Sequence, residues 1–470
     1  MDKLVGLQPE RVFYYFEEIA AVPHGSGNTD AISRYCADVA KNLGLTVIRD
    51  RLGNVIIKKP ASRGYEDHPT VILQAHMDMV CEKAPDSPID FEKDGLELIV
   101  EGDWIRANGT TLGADDGIGV AMALAILEAE DMAHPALEVV LTVDEEIGMF
   151  GAAALDGSLL NGRVLVNLDG GSEGVLTVGC AGGLSAHISL PIEFSSNGTD
   201  TYRVTVEGLR GGHSGTMIGK GRLNSNIVMG QFLGGLNNYL LVRIDGGMKD
   251  NAIPALTTCL VASSEDITAS ADAFVRTNRV EGDPDLMVRV ERVATAERAL
   301  TEVSTRRIVD FLTAVPNGVV SMSCDIDGLV QTSLNLGILE TQDDSVKFTF
   351  GMRSSVGKEK TALYEQVKRL VEEYGGTCKC SGDYPAWEYR QDSVLRDVMR
   401  TVWDEMYDMP LEISAVHAGL ECGYFSDKLE GLDAVCTTPL MEDIHTSRER
   451  LSISSVERVY RYICEVLKRL

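Results

Sequence analysis

Histidines and acids stand at the ends of hydrophobic runs in this chain. His76-Met77-Asp78 closes TVILQAHMD, Glu145-Glu146 closes LEVVLTVDEE, and Asp169 closes RVLVNLDG. Asp115-Asp116 follows a Gly- and Thr-rich approach, and His445 comes much later. Imidazoles and carboxylates are the ligands of zinc and similar divalent ions. At an extended strand end, His76 and Asp78 point the same way. Both can then approach one ion, or one can bind while the other orients it. Asp115 can bridge two ions with its two oxygens, while Asp115 or Asp116 can equally cap the helix that follows. Glu145 and Glu146 crowd like charges at the end of a buried run, which is costly without a cation or a proton. One carboxylate on metal and the other holding a proton from water removes that cost. Asp169 precedes Gly170-Gly171, so an ordinary Asp-Gly turn also accounts for it. His445 stands beside Glu442 and Asp443. Together these residues make a donor set for two ions about 3.5–4 Å apart, a pair that activates water and stabilises an oxyanion. The set suits two zinc ions (Zn2+), with manganese (Mn2+) or cobalt (Co2+) as substitutes.

The elements that must carry these groups alternate. PERVFYYFEEIAAV and DAISRYCADVAKNLG read as helices, the second capped by Asn28 or Thr29 and ended by Gly44. LTVIRD, NVIIKK, TVILQAH, LEVVLTVDEE and RVLVNLDG read as strands, and GIGVAMALAILEAE as a small-residue helix. This predicts an α/β domain with a mainly parallel central sheet and helices on both faces. After about Gly183 the pattern changes. SAHISLPIEF, DTYRVTVEGL, ALTTCLVASS and DLMVRVERV alternate as amphipathic strands. GRLNSNIVMGQFLGGLNNYLLVRI and STRRIVDFLTAVP read as helical segments among them. The first style returns near Trp387. The reading is one catalytic domain from residues 1–185 and 387–470, interrupted by an α+β domain over 186–386.

The chain has 470 residues, 43 Lys and Arg against 71 Asp and Glu, and a formal charge of -28. That balance argues against nucleic acid, whose phosphates require cationic contacts. No apolar window reaches membrane-span length. The 10 Cys show no tidy pairing, and the start MDKLVGLQPERVFYYF lacks a signal-peptide core. A cytoplasmic protein with no membrane or nucleic-acid partner is expected. GADDGIG lacks the Lys-Ser/Thr of a P-loop.

The motifs LQAHMDMV, TLGADDGIG, VDEEIGMFGA, VNLDGG, GLRGGHSG, NAIP, SLNLG, FGMRSS and EDIHTSRERLSI run over nearly the whole chain. In order and spacing they resemble the zinc metallopeptidase family M20, which contains aminoacylases, glutamate carboxypeptidase and dipeptidases. The resemblance implies a zinc-exopeptidase-like catalytic domain interrupted by a lid. It implies that His76 and His445 each bind one zinc, that Asp115 bridges, and that Glu146 and Asp169 complete the two sets. It gives Glu145 as general base and Asp78 as the partner that orients His76. It also implies a cis peptide between Asp115 and Asp116. In the lid, His213 would help hold the oxyanion. Asn251 and Arg353 would clamp the substrate, with Arg353 on a terminal carboxylate. His417 and Gly419 would line the pocket. His24, His68, His134 and His187 are left as structural or exposed. The implied activity is cleavage of unblocked dipeptides, including Xaa-His dipeptides such as β-alanyl-histidine. The alternatives are an N-acyl-amino-acid deacylase, a carboxypeptidase or a non-catalytic binding protein on the same fold. Monomer and homodimer are both compatible with the long lid.

Overall fold

A computed structural model describes residues 3–470; Met1 and Asp2, the head of the polar start, lie outside them. The chain divides into two compact units. The first takes the chain up to Gly179 together with Tyr389–Ala415 and Leu420–Leu470, and the second takes Cys180–Glu388 together with Val416–Gly419.

The first unit is built on an eight-stranded sheet. Its order is Thr46–Arg49, Val55–Lys59, Leu137–Thr142, Val71–His76, Val164–Asn167, Asp433–Cys436, Val175–Cys180 and Glu412–Val416. The four strands from Leu137–Thr142 to Asp433–Cys436 are parallel. On one flank Thr46–Arg49 and Val55–Lys59 form a hairpin through Gly53, which has φ +106°, and Val55–Lys59 runs antiparallel to Leu137–Thr142; on the other, Val175–Cys180 runs antiparallel to Asp433–Cys436. Every residue of Val71–His76 and of Leu137–Thr142 is buried, as in parallel strands covered on both faces. Register places the strand ends together. His76 lies opposite Thr142, and Gln74 and Cys436 lie opposite Asn167. Side chains just beyond these ends therefore emerge along one edge of the sheet.

The helix Ala114–Glu128 is apolar around its whole circumference and is buried over nearly its whole length. It packs on Val71–His76 and on the helix Glu10–Ala20. Asp115 and Asp116 have non-helical backbone angles, so neither acts as a regular helical residue. The helix Asp30–Asn42 does not use the expected caps. Thr29 makes no side-chain capping bond and Asn28 Nδ2 donates to Glu92 O, while Asp30 supplies first-turn negative charge. A small four-stranded sheet pairs the hairpin of Met441–Glu442 and Arg450–Ser452 with Trp104–Ala107, and then Leu98–Glu101. His445 lies in the loop of that hairpin. The approach to Asp115 leaves directly from Trp104–Ala107.

The second unit contains a nine-stranded sheet with helices Ser225–Gly234, Glu302–Ala314 and Gly357–Glu373 packed on it. One predicted helix is shorter than its sequence suggested. After Gly234 the chain turns through Asn237-Asn238, where Asn238 has φ +53°, and YLLVRI runs as the strand Tyr239–Gly246. Paired glycines and asparagines end the helix, and the β-favouring run that follows pairs with Thr257–Ser263. No helix among the described residues is long and apolar enough to cross a membrane.

Candidate functional site

Beyond the aligned strand ends of the first unit, His76, Asp115, Glu146, Asp169 and His445 come together. Asp115 Oδ1 lies 3.3 Å from His76 Nε2, and its Oδ2 lies 3.1 Å from His445 Nε2. Asp169 Oδ2 is 3.9 Å from His76 Nε2, and Glu146 Oε1 is 2.8 Å from His445 Nε2. One aspartate thus turns one oxygen to each imidazole, and each imidazole has a second acid beside it. Donor atoms of His76, Asp115 and Glu146 also lie within 4.8 Å of one another. That trio fits a single ion, but it leaves out the close His445–Glu146 and His76–Asp169 approaches. The full set divides more naturally into two triplets sharing Asp115.

Imidazole geometry fixes which nitrogen faces the cluster. His76 Nδ1 sits 2.9 Å from the Asp78 carbonyl oxygen and must donate to it. That leaves Nε2 directed at Asp115 and Asp169, with a lone pair for a cation when the ring is neutral. The Asp78 carboxylate stands farther off, 3.5 Å from His76 Nδ1. It accepts instead from Glu145 N at 2.9 Å, Glu146 N at 3.2 Å and Ser26 Oγ at 2.7 Å. Asp78 therefore holds the Glu145–Glu146 turn while its backbone orients His76, a broader role than the one expected for it. Backbone angles mark the same turn and the His445 loop. Asp144, Asp443 and His445 all have positive φ, at +56°, +52° and +61°. Such conformations in non-glycine residues persist where surrounding contacts impose them.

The electrostatics show what the cluster can hold. Burial, then the nearby Asp115 charge, pushes Asp169 up to about 8. Burial, with Asp169, Glu421 and Glu146 outweighing His76, raises Glu145 well above the ordinary carboxylate value. The adjacent carboxylates of Asp115 and Glu146 lift His445 to about 10. Burial opposes charge on His76, but Asp115 and Asp78 outweigh it and raise the imidazole as well. Protons are thus drawn onto Asp169, Glu145, His76 and His445, while hydrogen bonds from the two imidazoles hold the Asp115 carboxyl well below its ordinary value despite its burial. A divalent cation satisfies the same demand. Glu146 Oε1 is buried and makes no hydrogen bond, although His445 Nε2 lies 2.8 Å away. The two atoms converge without the alignment of a donor and acceptor, which is the arrangement of two ligands facing one ion. The donor set therefore fits a metal.

Beneath the cluster runs a buried network that the motifs alone did not reveal. Glu421 Oε2 accepts from Gln74 Nε2 at 2.5 Å and from Thr142 Oγ1 at 2.7 Å. Asn167 Nδ2 donates to Gln74 Oε1, and Asn167 Oδ1 accepts from Asp169 N at 3.1 Å. The network ties strand ends to the backbone of Asp169. Asp116 also lies below, fully buried. Its Oδ2 accepts from His76 N at 3.3 Å, and it makes no capping contact.

The second unit assembles a separate set. The short pairing of Gly212–His213 with Ala252–Ile253 holds His213 beside Asn251, whose carbonyl accepts from Ser214 N at 2.8 Å. His213 Nδ1 accepts from Gly215 N at 3.2 Å, so a neutral ring carries its proton on Nε2. Partial burial and the Arg353 charge both lower its pKa, which favours that neutral ring. Arg353 Nη1 donates to Tyr384 Oη at 2.7 Å and makes no ion pair among the described residues. His417 Nε2 lies 2.7 Å from Ser333 Oγ, and burial followed by Arg353 lowers its pKa to about 4. Gly419 shares the 416–419 segment, which accepts from Ala181 N. The SLNLG motif supports this set: Asn335 Nδ2 donates to Asp250 O and Ala252 O, at either side of Asn251. Of the histidines left as structural, His24 and His134 are buried on backbone carbonyls, and His68 and His187 bond at the surface.

Comparison with known proteins agrees with this architecture. The chain is 35% identical to the cytosol non-specific dipeptidase of Escherichia coli K12, with 100% of this chain and 99% of the relative covered. The crystal structure of aminoacylhistidine dipeptidase from Vibrio alginolyticus superposes with a TM-score of 0.94 at 34% identity, covering 100% of this chain and 98% of that one. An aminopeptidase structure from Bacillus cereus shares the fold, with a TM-score of 0.58 at 16% identity and 98% of each chain covered. Residues 72–469 match the peptidase family M20/M25/M40, and the chain belongs to that family.

Proposed function

We propose that this protein is a two-metal dipeptidase that hydrolyses unblocked dipeptides, Xaa-His dipeptides among them. The observation that carries the reading is Asp115, which turns one oxygen to His76 and the other to His445. His76, Asp169 and Asp115 would hold one ion; His445, Glu146 and Asp115 the other. Zinc suits this mixed imidazole and carboxylate set, with manganese or cobalt as substitutes. When bound, the pair of ions supplies water activation and stabilisation of oxyanion charge. Glu145 accepts the proton from the attacking water on its carboxylate and returns it to the leaving nitrogen. Its raised proton affinity suits that relay. Asp78 keeps the Glu145 backbone fixed during both transfers. His213 offers an Nε2 proton to the carbonyl oxygen, and Arg353, whose Nη1 donates to Tyr384 Oη, offers the rest of its guanidinium to the terminal carboxylate. Asn251, His417 and Gly419 complete the substrate set. The two dipeptidase relatives support this substrate class, and a cytoplasmic location follows the description of the Escherichia coli relative.

The test is amino-acid release from Xaa-His dipeptides, other dipeptides, tripeptides and N-acetyl amino acids, with zinc, manganese or cobalt and with chelator. Metal-dependent release confined to unblocked dipeptides is expected. Release from N-acetyl amino acids alone moves the protein to the deacylases, and metal-independent turnover removes the mechanism.

A further inference from the structure

Glu449 lies four positions beyond His445 and is only 2% exposed. Its Oε2 accepts from Leu112 N at 2.7 Å and Gly113 N at 3.2 Å. Its Oε1 accepts from Ala114 N at 2.9 Å and Asp115 N at 3.3 Å. One carboxylate thus gathers four successive backbone N–H groups, and the last belongs to Asp115. The amides converge because Gly113 turns with φ +63°. A Cβ at that position would lie 2.9 Å from Met79 Sδ and 3.1 Å from His24 Nε2, so packing closes the turn from the other side. Glu449 is itself held to the His445 loop, since its N–H donates to Thr446 O at 3.1 Å. The adjoining strand Arg450–Ser452 pairs with Trp104–Ala107, which leads to Asp115.

A loop that merely needs its amides satisfied can use water or neutral acceptors. Here a side chain only 2% exposed commits both carboxyl oxygens to this one loop. Both oxygens are occupied, so an amide side chain cannot reproduce the contact. We propose that Glu449 is a positioning residue: it locks the Asp115 backbone to the His445 hairpin, so that the Asp115 carboxylate stays in register between the two imidazoles and both cations are retained together. The proposal rests on the two-metal reading above.

The test uses the full chain with Glu449→Gln, which keeps size but turns an NH2 toward two backbone donors. Zinc stoichiometry and affinity are measured by chelator competition, alongside melting temperatures of the chelated and zinc-loaded proteins. Loss of an outer partner of a metal ligand typically weakens affinity about 10–100-fold. A loss in that range is expected, with a smaller melting-temperature gap between the two forms. At saturating zinc, kcat should fall with KM changed less than about twofold, as for a group acting only on the reacting centre. A merely structural role would lower both melting temperatures equally and leave zinc affinity unchanged, and that result overturns the proposal. If Glu449→Gln does not fold, Glu449→Asp carries the same measurements. Glu442→Gln, on the same hairpin but paired with Arg450, should keep wild-type affinity; an equal loss there also overturns the proposal. A wild-type protein that retains fewer than two ions defeats the two-metal reading itself. Two ions held equally well by wild type and the Glu449 variant defeat only this inference.

Discussion

The proton relay proposed for Glu145 suits both its backbone contacts and its surroundings. Its amide is pinned to Asp78, while burial and three neighbouring acids raise the proton affinity of its side chain. Neither the pinning of its backbone nor the His76 and His445 contacts depends on its carboxylate. Glu145→Gln should therefore keep both ions and the melting temperature but lose about 10²–10⁴-fold in kcat, the range for a positioned acid–base group. Metal analysis and steady-state kinetics on one preparation check this; near-wild-type turnover with full metal content would exclude Glu145 as the base. The histidines and acids that cluster at the strand ends were legible in the sequence because few side chains carry such chemistry and they stand at the ends of apolar runs. Ser26, Gln74, Asn167, Glu421 and Glu449 were not. Their work is hydrogen bonding to residues distant in sequence, and nothing in their type or local spacing announces it. Glu421 even lay inside the HAGLECG stretch, where His417 and Gly419 attracted attention instead.

Within the helix Ala114–Glu128, two glycines two residues apart have opposite duties. A Cβ on Gly119 would lie 2.7 Å from Asp116 Oδ2 and closer still to Oδ1. Asp116 is fully buried and bonded to the His76 amide, so it cannot swing away. A Cβ on Gly117 would meet Phe16 and Ile19 at 3.5 and 3.6 Å, which is ordinary contact. Gly119→Ala should cost about 1–3 kcal/mol through overpacking. Gly117→Ala should range from neutral to about 1 kcal/mol stabilising through helix propensity. Urea unfolding of the two variants distinguishes them, and equal destabilisation would refute the assigned packing. Close approach of this kind is invisible in sequence, although the helix itself was legible from its unbroken apolar run. The central strands were legible for the same reason. YLLVRI was read as helix because it continues an apolar stretch, and only the Gly and Asn punctuation distinguishes it. Thr377–Tyr384 escaped notice because it is an outer strand of its sheet with most side chains exposed, so it carries no apolar alternation.

Across the molecule, the cluster of acids and histidines couples stability to pH, and the sign can be worked out from its members. Asp169 ordinarily ionises near 3.8 but is pushed to about 8 in the folded chain, and Glu421 rises from 4.5 to about 7. His445 rises from 6.5 to about 10. In each case the folded chain holds a proton that the unfolded chain has released. Folding stability therefore falls as pH rises, from about pH 4 to 8 for the acids and from about 6.5 to 10 for His445. The His445 side chain is 45% exposed, so solvent screening reduces its share. Metal binding has the opposite dependence, because the ligands must lose their protons to bind. With chelator present, the melting temperature should fall steadily between pH 6.5 and 8. With saturating zinc the fall should be much smaller, so the gap between the two melting curves should widen over that interval. Since the net charge of -28 penalises the folded state by self-repulsion at any pH where the acids are ionised, the comparison is made at fixed ionic strength. A gap that stays constant or narrows from pH 6.5 to 8 would mean that these residues do not share their protons and their metal at one site.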